Sequence, residues 1–245
     1  MFEYFLKSVA IGDITEFCAA VAGTIFFAQM YNPPKALRQF TYFLWFVMIS
    51  EIFGFYGIYA YVTEYVTLPF IKDTPFRRAI WIYNVFIPFT YCFFILFFRA
   101  RLKSAKMKKI ILYALVFFVV STSVYWLFSK DYLYTFSPFT EILGTFLLCS
   151  SILIYFWEIL LSSDILLFYK RFSFYAAIGI LIRYLVATPL FIYTTYFSPD
   201  NPEFIRFFVY MLTTANLFMY GSFVIGFIVC YKNRELVFKK TGPEI

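Results

Sequence analysis

Histidine is absent from all 245 residues. Its absence removes the commonest metal ligand, the usual haem ligand and the usual proton shuttle near neutral pH, and so excludes most metalloenzyme chemistry. Charge is scarce as well: 14% of residues are Asp, Glu, Lys or Arg, against about a quarter in soluble domains. No glycine-rich phosphate loop occurs, and no cysteine and acid constellation suited to nucleophilic catalysis. The N-terminus MFEYFLKSVAIGDITE lacks a basic leader and runs acidic, so the first helix is expected to stay in the mature protein. Long polar stretches are missing too, and no appended soluble domain is expected. The four cysteines, Cys18, Cys92, Cys149 and Cys230, all fall within apolar runs and imply no disulfide framework.

Apolar and aromatic residues take the place of everything missing, at 62% and 26% of the chain. That balance is the composition of a membrane protein. A window of about 19 residues finds seven runs long enough to cross a hydrocarbon core of roughly 30 Å. They lie near 9–31, 40–62, 78–98, 110–128, 138–160, 172–196 and 204–230. Short breaks such as NPPKALRQ, IKDTPFRR and SPDNPEF separate them. The expected fold is all-α: a single transmembrane domain spanning 1–245, a polytopic bundle of seven helices.

Fourteen of the 21 lysines and arginines sit in the breaks after helices one, three and five and in the tail. The positive-inside rule then predicts an external N-terminus and a cytoplasmic C-terminus for a multi-pass protein. The run RARLKSAKMKK, residues 99–109, dominates that assignment. It reads as a topology determinant resting on anionic lipid headgroups, not as a nucleic-acid patch.

One cation lies where lipid would not tolerate it alone. Arg183, inside AIGILIRYLVATPLFIY, is eleven residues from the start of helix six at Phe172, roughly 16 Å deep at 1.5 Å per residue. A charge near the midplane costs on the order of 2.5–3.5 kcal/mol on the insertion scale and requires a partner or water. Ala176, Gly179 and Ala187 share its helix face, a small-residue stripe that predicts close packing inside the bundle. The same count along helix two, from Phe40, reaches Glu51, three residues before Gly54. An ion pair between Glu51 and Arg183 is therefore expected, serving either helix register or a ligand.

Other polar residues cluster in what the topology makes the outer half: Glu16, Asn84, Ser121, Thr122, Ser123 and Glu141. Thr213, Asn216 and Tyr220 form a stripe at three- and four-residue spacing near the middle of helix seven. Interhelical hydrogen bonding is the simpler reading for Ser121 to Ser123, and hydration at the interface competes with ligand binding for Glu16 and Glu141. The inner halves, FTYFLWFVMI, YCFFILFF and FSFYAAIGILI among them, are almost free of polar groups; Glu158 is the exception, explained by snorkelling. The pattern suits an outward-facing polar cavity floored by Glu51, Arg183 and Asn216 above an aromatic plug.

A single offset of 132 superposes Phe40 on Phe172, Glu51 on Arg183 and Asn84 on Asn216, and another brings Thr15 and Glu16 onto Thr140 and Glu141. A three-plus-one-plus-three parallel repeat would have this pattern. The layout resembles sugar transporters of the SWEET type, in which an asparagine from the third helix of each half lies near the substrate; Asn84 and Asn216 would fill those positions. Of the prolines that mark the first two helices of each half in that family, only Pro189 has a counterpart. The layout is also similar to seven-helix opsins, but FVYMLTTANLFMYGSFVIGFIVC in helix seven offers no lysine for a retinal Schiff base. The segments ILGTFLLCSSILIYFWEILLSSDILLFYKRFSFYAAIGILIRYLVATPLFIY and NLFMYGSFVIGFIVC resemble a group of small, uncharacterised membrane proteins common in Bacteroidota genomes. That resemblance implies a seven-helix inner-membrane protein and transfers no functional residue.

Three function classes follow. The first is a receptor-like or sensory module that takes a small polar ligand through Glu51, Arg183, Asn216, Asn84, Glu16 and Glu141 and signals to a partner at the cytoplasmic loops. The second is a small-solute transporter with a midplane site. The third is a pore-forming or structural subunit. No cofactor, metal or nucleic acid is expected, and no enzymatic activity.

Overall fold

Inside lipid, backbone N–H and C=O groups find no water, so an apolar run of spanning length must bond to itself as a helix. A computed structural model describes residues 2–30, 33–194 and 202–233. It contains seven long α-helices, all long and apolar enough to cross a membrane: α1 Phe2–Ala28, α2 Lys35–Val62, α3 Ile80–Arg99, α4 Ala105–Phe128, α5 Pro138–Leu160, α6 Phe172–Thr194 and α7 Pro202–Lys232. Short 3₁₀ turns occupy several connections, and no strand occurs among the described residues. The protein is a multi-pass, all-helical membrane protein.

Several helices outrun the apolar stretches that announced them. The first begins at Phe2, not near residue 9, and α4 begins at Ala105, not near 110. Hydropathy marks only the part that fits in hydrocarbon, whereas the helix continues through the interface, where Lys106, Lys108 and Lys109 meet water. Ser104 caps α4, its side chain accepting from the Met107 N–H at 3.3 Å. Proline sets other starts: α2 follows Pro33 and Pro34, and α5 and α7 open on Pro138 and Pro202, where the missing N–H is no loss.

The chain groups into two compact units, one of residues 1–48 and 156–245, the other of residues 49–155. In the first, α7 packs along both α6 and α1. Small residues make the α6–α7 approach close: Ala176 and Ala187 are fully buried, and a methyl added to Gly179 would come within 3.1 Å of the Met219 carbonyl oxygen on α7. Phe40 of α2 lies against Phe172 and Phe223 with ring centroids 4.8 and 4.9 Å away, and Phe172 stacks on Phe227 at 4.6 Å. This aromatic layer sits at the end of the unit where α6 begins.

In the second unit, α3 is the central element. Tyr91, fully buried, meets Phe118 of α4 edge-on at 5.9 Å, and Phe98 contacts Tyr155 of α5 at 5.5 Å. Gly144 of α5 makes room for the Tyr91 ring. Elsewhere the surface is strongly apolar; Phe117 and Leu127 are 63% and 82% exposed, which suits side chains solvated by lipid.

Candidate functional site

A buried carboxyl needs a donor, and in a chain without histidine the tyrosine hydroxyl is the abundant one. Three of the glutamates singled out within the spans, Glu16, Glu51 and Glu141, each accept a hydrogen bond from one. Tyr220 on α7 donates to Glu16 Oε2 on α1 at 2.8 Å, Tyr83 on α3 to Glu51 Oε2 on α2 at 2.9 Å, and Tyr91 on α3 to Glu141 Oε2 on α5 at 2.7 Å. The Tyr91 hydroxyl also lies 2.8 Å from Thr145 Oγ1. Glu16 and Glu141 are both 4% exposed, so neither is the hydrated interfacial carboxylate that its place in the sequence allowed. Glu16 is close to the middle of α1, because that helix starts earlier than its apolar run.

The polar stripe of α7 is the core of the candidate site. Asn216 and Tyr220 are one turn apart and serve different neighbours. Arg183 Nε donates to Asn216 Oδ1 at 3.2 Å, and the guanidinium also stands over the Tyr184 ring, 4.5 Å from its centroid. Tyr220 reaches the opposite way, to Glu16. One face of α7 thus links a half-buried cation on α6 to a buried carboxyl on α1, within one unit of the fold. The aromatic layer of Phe172, Phe223 and Phe227 begins one turn past Tyr220 on α7.

The expected partners Glu51 and Arg183 belong to different units. Within its own unit each has another neighbour, Tyr83 for Glu51 and Asn216 for Arg183. Gly54, one turn after Glu51, abuts the Tyr83 ring, the close-packing role that its position indicated.

Asn84 is fully occupied by backbone. Its Nδ2 donates to the carbonyls of Tyr132 and Thr135 at 2.5 and 2.8 Å, and its Oδ1 accepts from the Ser137 N–H at 3.2 Å. A ligand at Asn84 would have to displace these contacts, which pin the α4–α5 connection to α3. Ser121 and Ser123 turn back onto their own helix, donating to Phe118 O and Val119 O at 3.1 and 2.8 Å, in place of the interhelical bonds expected of them. A serine hydroxyl reaches the carbonyl three or four residues earlier without needing a neighbour.

Tyr83 and Tyr91 were not singled out from sequence, because in a chain with 22 tyrosines they read as aromatic bulk. The signal that would have found them is the demand for a donor at each glutamate. The described residues hold no group of three or more His, Cys, Asp or Glu side chains placed to share a metal ion. Comparison with protein-family models, with curated proteins and with solved structures finds no match to this chain.

Proposed function

We propose that the protein is a receptor-like or sensory membrane module, non-enzymatic, whose α1–α6–α7 unit recognises a small polar ligand. The observation that carries this reading is the pair Asn216 and Tyr220, which place the Arg183 guanidinium and the Glu16 carboxyl on one stripe of α7. A ligand with an anionic group for Arg183 and a donor for Glu16, a zwitterion of amino-acid size, matches both ends. Binding would exchange side-chain contacts across α7 for ligand contacts and so bias the position of α7 against α1 and α6. The aromatic layer closes the other end of the unit, which favours entry from one side. With the N-terminus outside, that entry faces the exterior of an inner membrane, and the movement of α7 is delivered to a cytoplasmic partner.

The test is a melting-temperature screen of the protein in nanodiscs against small zwitterions, carboxylates and phosphate esters. The reading expects a stabilising compound whose effect disappears in Arg183→Met and persists in Asn84→Leu. Equal responses in wild type and Arg183→Met would overturn it.

Transport is a second reading with an observation of its own. The glutamates of the matching Thr15–Glu16 and Thr140–Glu141 pairs each accept from a tyrosine on the last helix of the other proposed half, Tyr220 on α7 and Tyr91 on α3. Each half also holds one internal proline, Pro88 in α3 and Pro189 in α6. Thiol labelling of Asn216→Cys, with the four native cysteines replaced by alanine, separates the two readings. Access from one face supports the receptor and access from both faces supports transport.

A further inference from the structure

Thr122 is 2% exposed, and its Oγ1 has no hydrogen-bond partner among the described residues; the same holds for the buried Nε1 of Trp126. The two residues are one turn apart on α4, on the face that meets α3, since Phe118, one turn before Thr122, contacts Tyr91. A buried threonine in a helix ordinarily gives its hydroxyl proton to the carbonyl four residues back. Here that carbonyl, of Phe118, already accepts from Ser121 at 3.1 Å.

The surroundings supply the complementary group. Counted from the Tyr91–Phe118 contact, seven residues back along α3 and eight forward along α4 bring Asn84 and Trp126 to one level. Tyr132 confirms the alignment: its ring stacks on Trp126 at 5.9 Å and its carbonyl accepts from Asn84 Nδ2. Pro88, inside α3, has no N–H to offer the main-chain carbonyl of Asn84, its partner in an unbroken helix. One orphan donor on α4, Trp126 Nε1, therefore shares a level of the fold with a carbonyl on α3 that has lost its helical donor, and the other, Thr122 Oγ1, lies one turn away on the Pro88 side.

We infer that this seam binds one neutral hydroxylic molecule, water or a small alcohol. Its oxygen accepts from Thr122 Oγ1 and Trp126 Nε1, and its O–H donates to the Asn84 carbonyl. An ammonium ion has no lone pair for the two donors. An anion would lack a counter-charge, since Ile80 to Phe98 and Ile110 to Phe128 contain no charged residue. The seam lies in the other unit from the Arg183 site and stands or falls independently of it.

Thr122→Val tests the inference, because removing an orphan hydroxyl and removing a liganded one have opposite effects. With the molecule bound, the variant should melt about 2–4 °C lower, and Thr122→Ser should restore most of the loss. A Thr122→Val protein as stable as wild type, or more so, would overturn the site. Solid-state NMR of ¹⁵N-tryptophan protein in liposomes, with the Trp126 indole assigned from Trp126→Phe, gives a reading that needs no destabilised variant. A cross-peak from that indole N–H to water identifies water; a saturable shift on adding 2-propanol, without the water cross-peak, identifies an alcohol. An indole signal that shows neither sinks the proposal.

Discussion

Tyr220 and Glu16, 204 residues apart in sequence, meet through a 2.8 Å hydrogen bond that ties α7 to α1. Both are buried, so the bond is made where water offers no substitute. Tyr220→Phe removes a donor from a buried carboxyl and should destabilise by about 1–3 kcal/mol. Combined with Glu16→Leu, the loss should fall short of the sum, with a coupling of about 0.6–1.7 kcal/mol. Reversible unfolding in mixed detergent measures the cycle; additive losses would mean that the bond is energetically silent.

Two glycines should respond in opposite directions to the same methyl group. On Gly144, a methyl would come within 2.7 Å of the Tyr91 ring, which is fully buried and hydrogen-bonded to Glu141. Gly144→Ala should therefore cost about 1–3 kcal/mol through overpacking. At Gly221 a methyl would meet nothing within 4 Å, so Gly221→Ala should be stabilising by about 0.5–1 kcal/mol. Melting curves of the two variants side by side check both signs.

Asn84 should behave as a loop anchor. Asn84→Leu deletes three contacts to the main chain of Tyr132, Thr135 and Ser137. The expected outcome is a loss of about 1–3 kcal/mol and faster amide exchange over residues 132–137. Unchanged exchange in that segment, measured by mass spectrometry, would show that the loop holds itself.

The α3–α4 connection should face the cytoplasm. Lys103→Cys, exposed in the folded chain, should react with an impermeant maleimide only after cells are opened. Labelling in intact cells would reverse the orientation.

The legibility of the site followed the chemistry of each residue. Arg183, Glu16, Glu51, Glu141 and Asn216 stood out because charges and amides are costly in hydrocarbon and each demands a partner. Two of their partners did not stand out. Tyr83 and Tyr91 contribute both bulk and a hydroxyl, and a linear sequence does not say which is used. Asn84 looked like Asn216 by position and offset, yet one holds a loop and the other an arginine side chain.

Membrane residence and the seven helices were set by sequence alone, because the length of an apolar run is a local property and the thickness of the hydrocarbon core is fixed. The end of α5 at Leu160 and the start of α6 at Phe172 fell where the pattern changed. Only the tertiary structure decided which carboxyl meets which hydroxyl. That choice depends on the rotation of each helix about its axis and on which helices are neighbours, and hydropathy is nearly blind to both when apolar side chains cover every face.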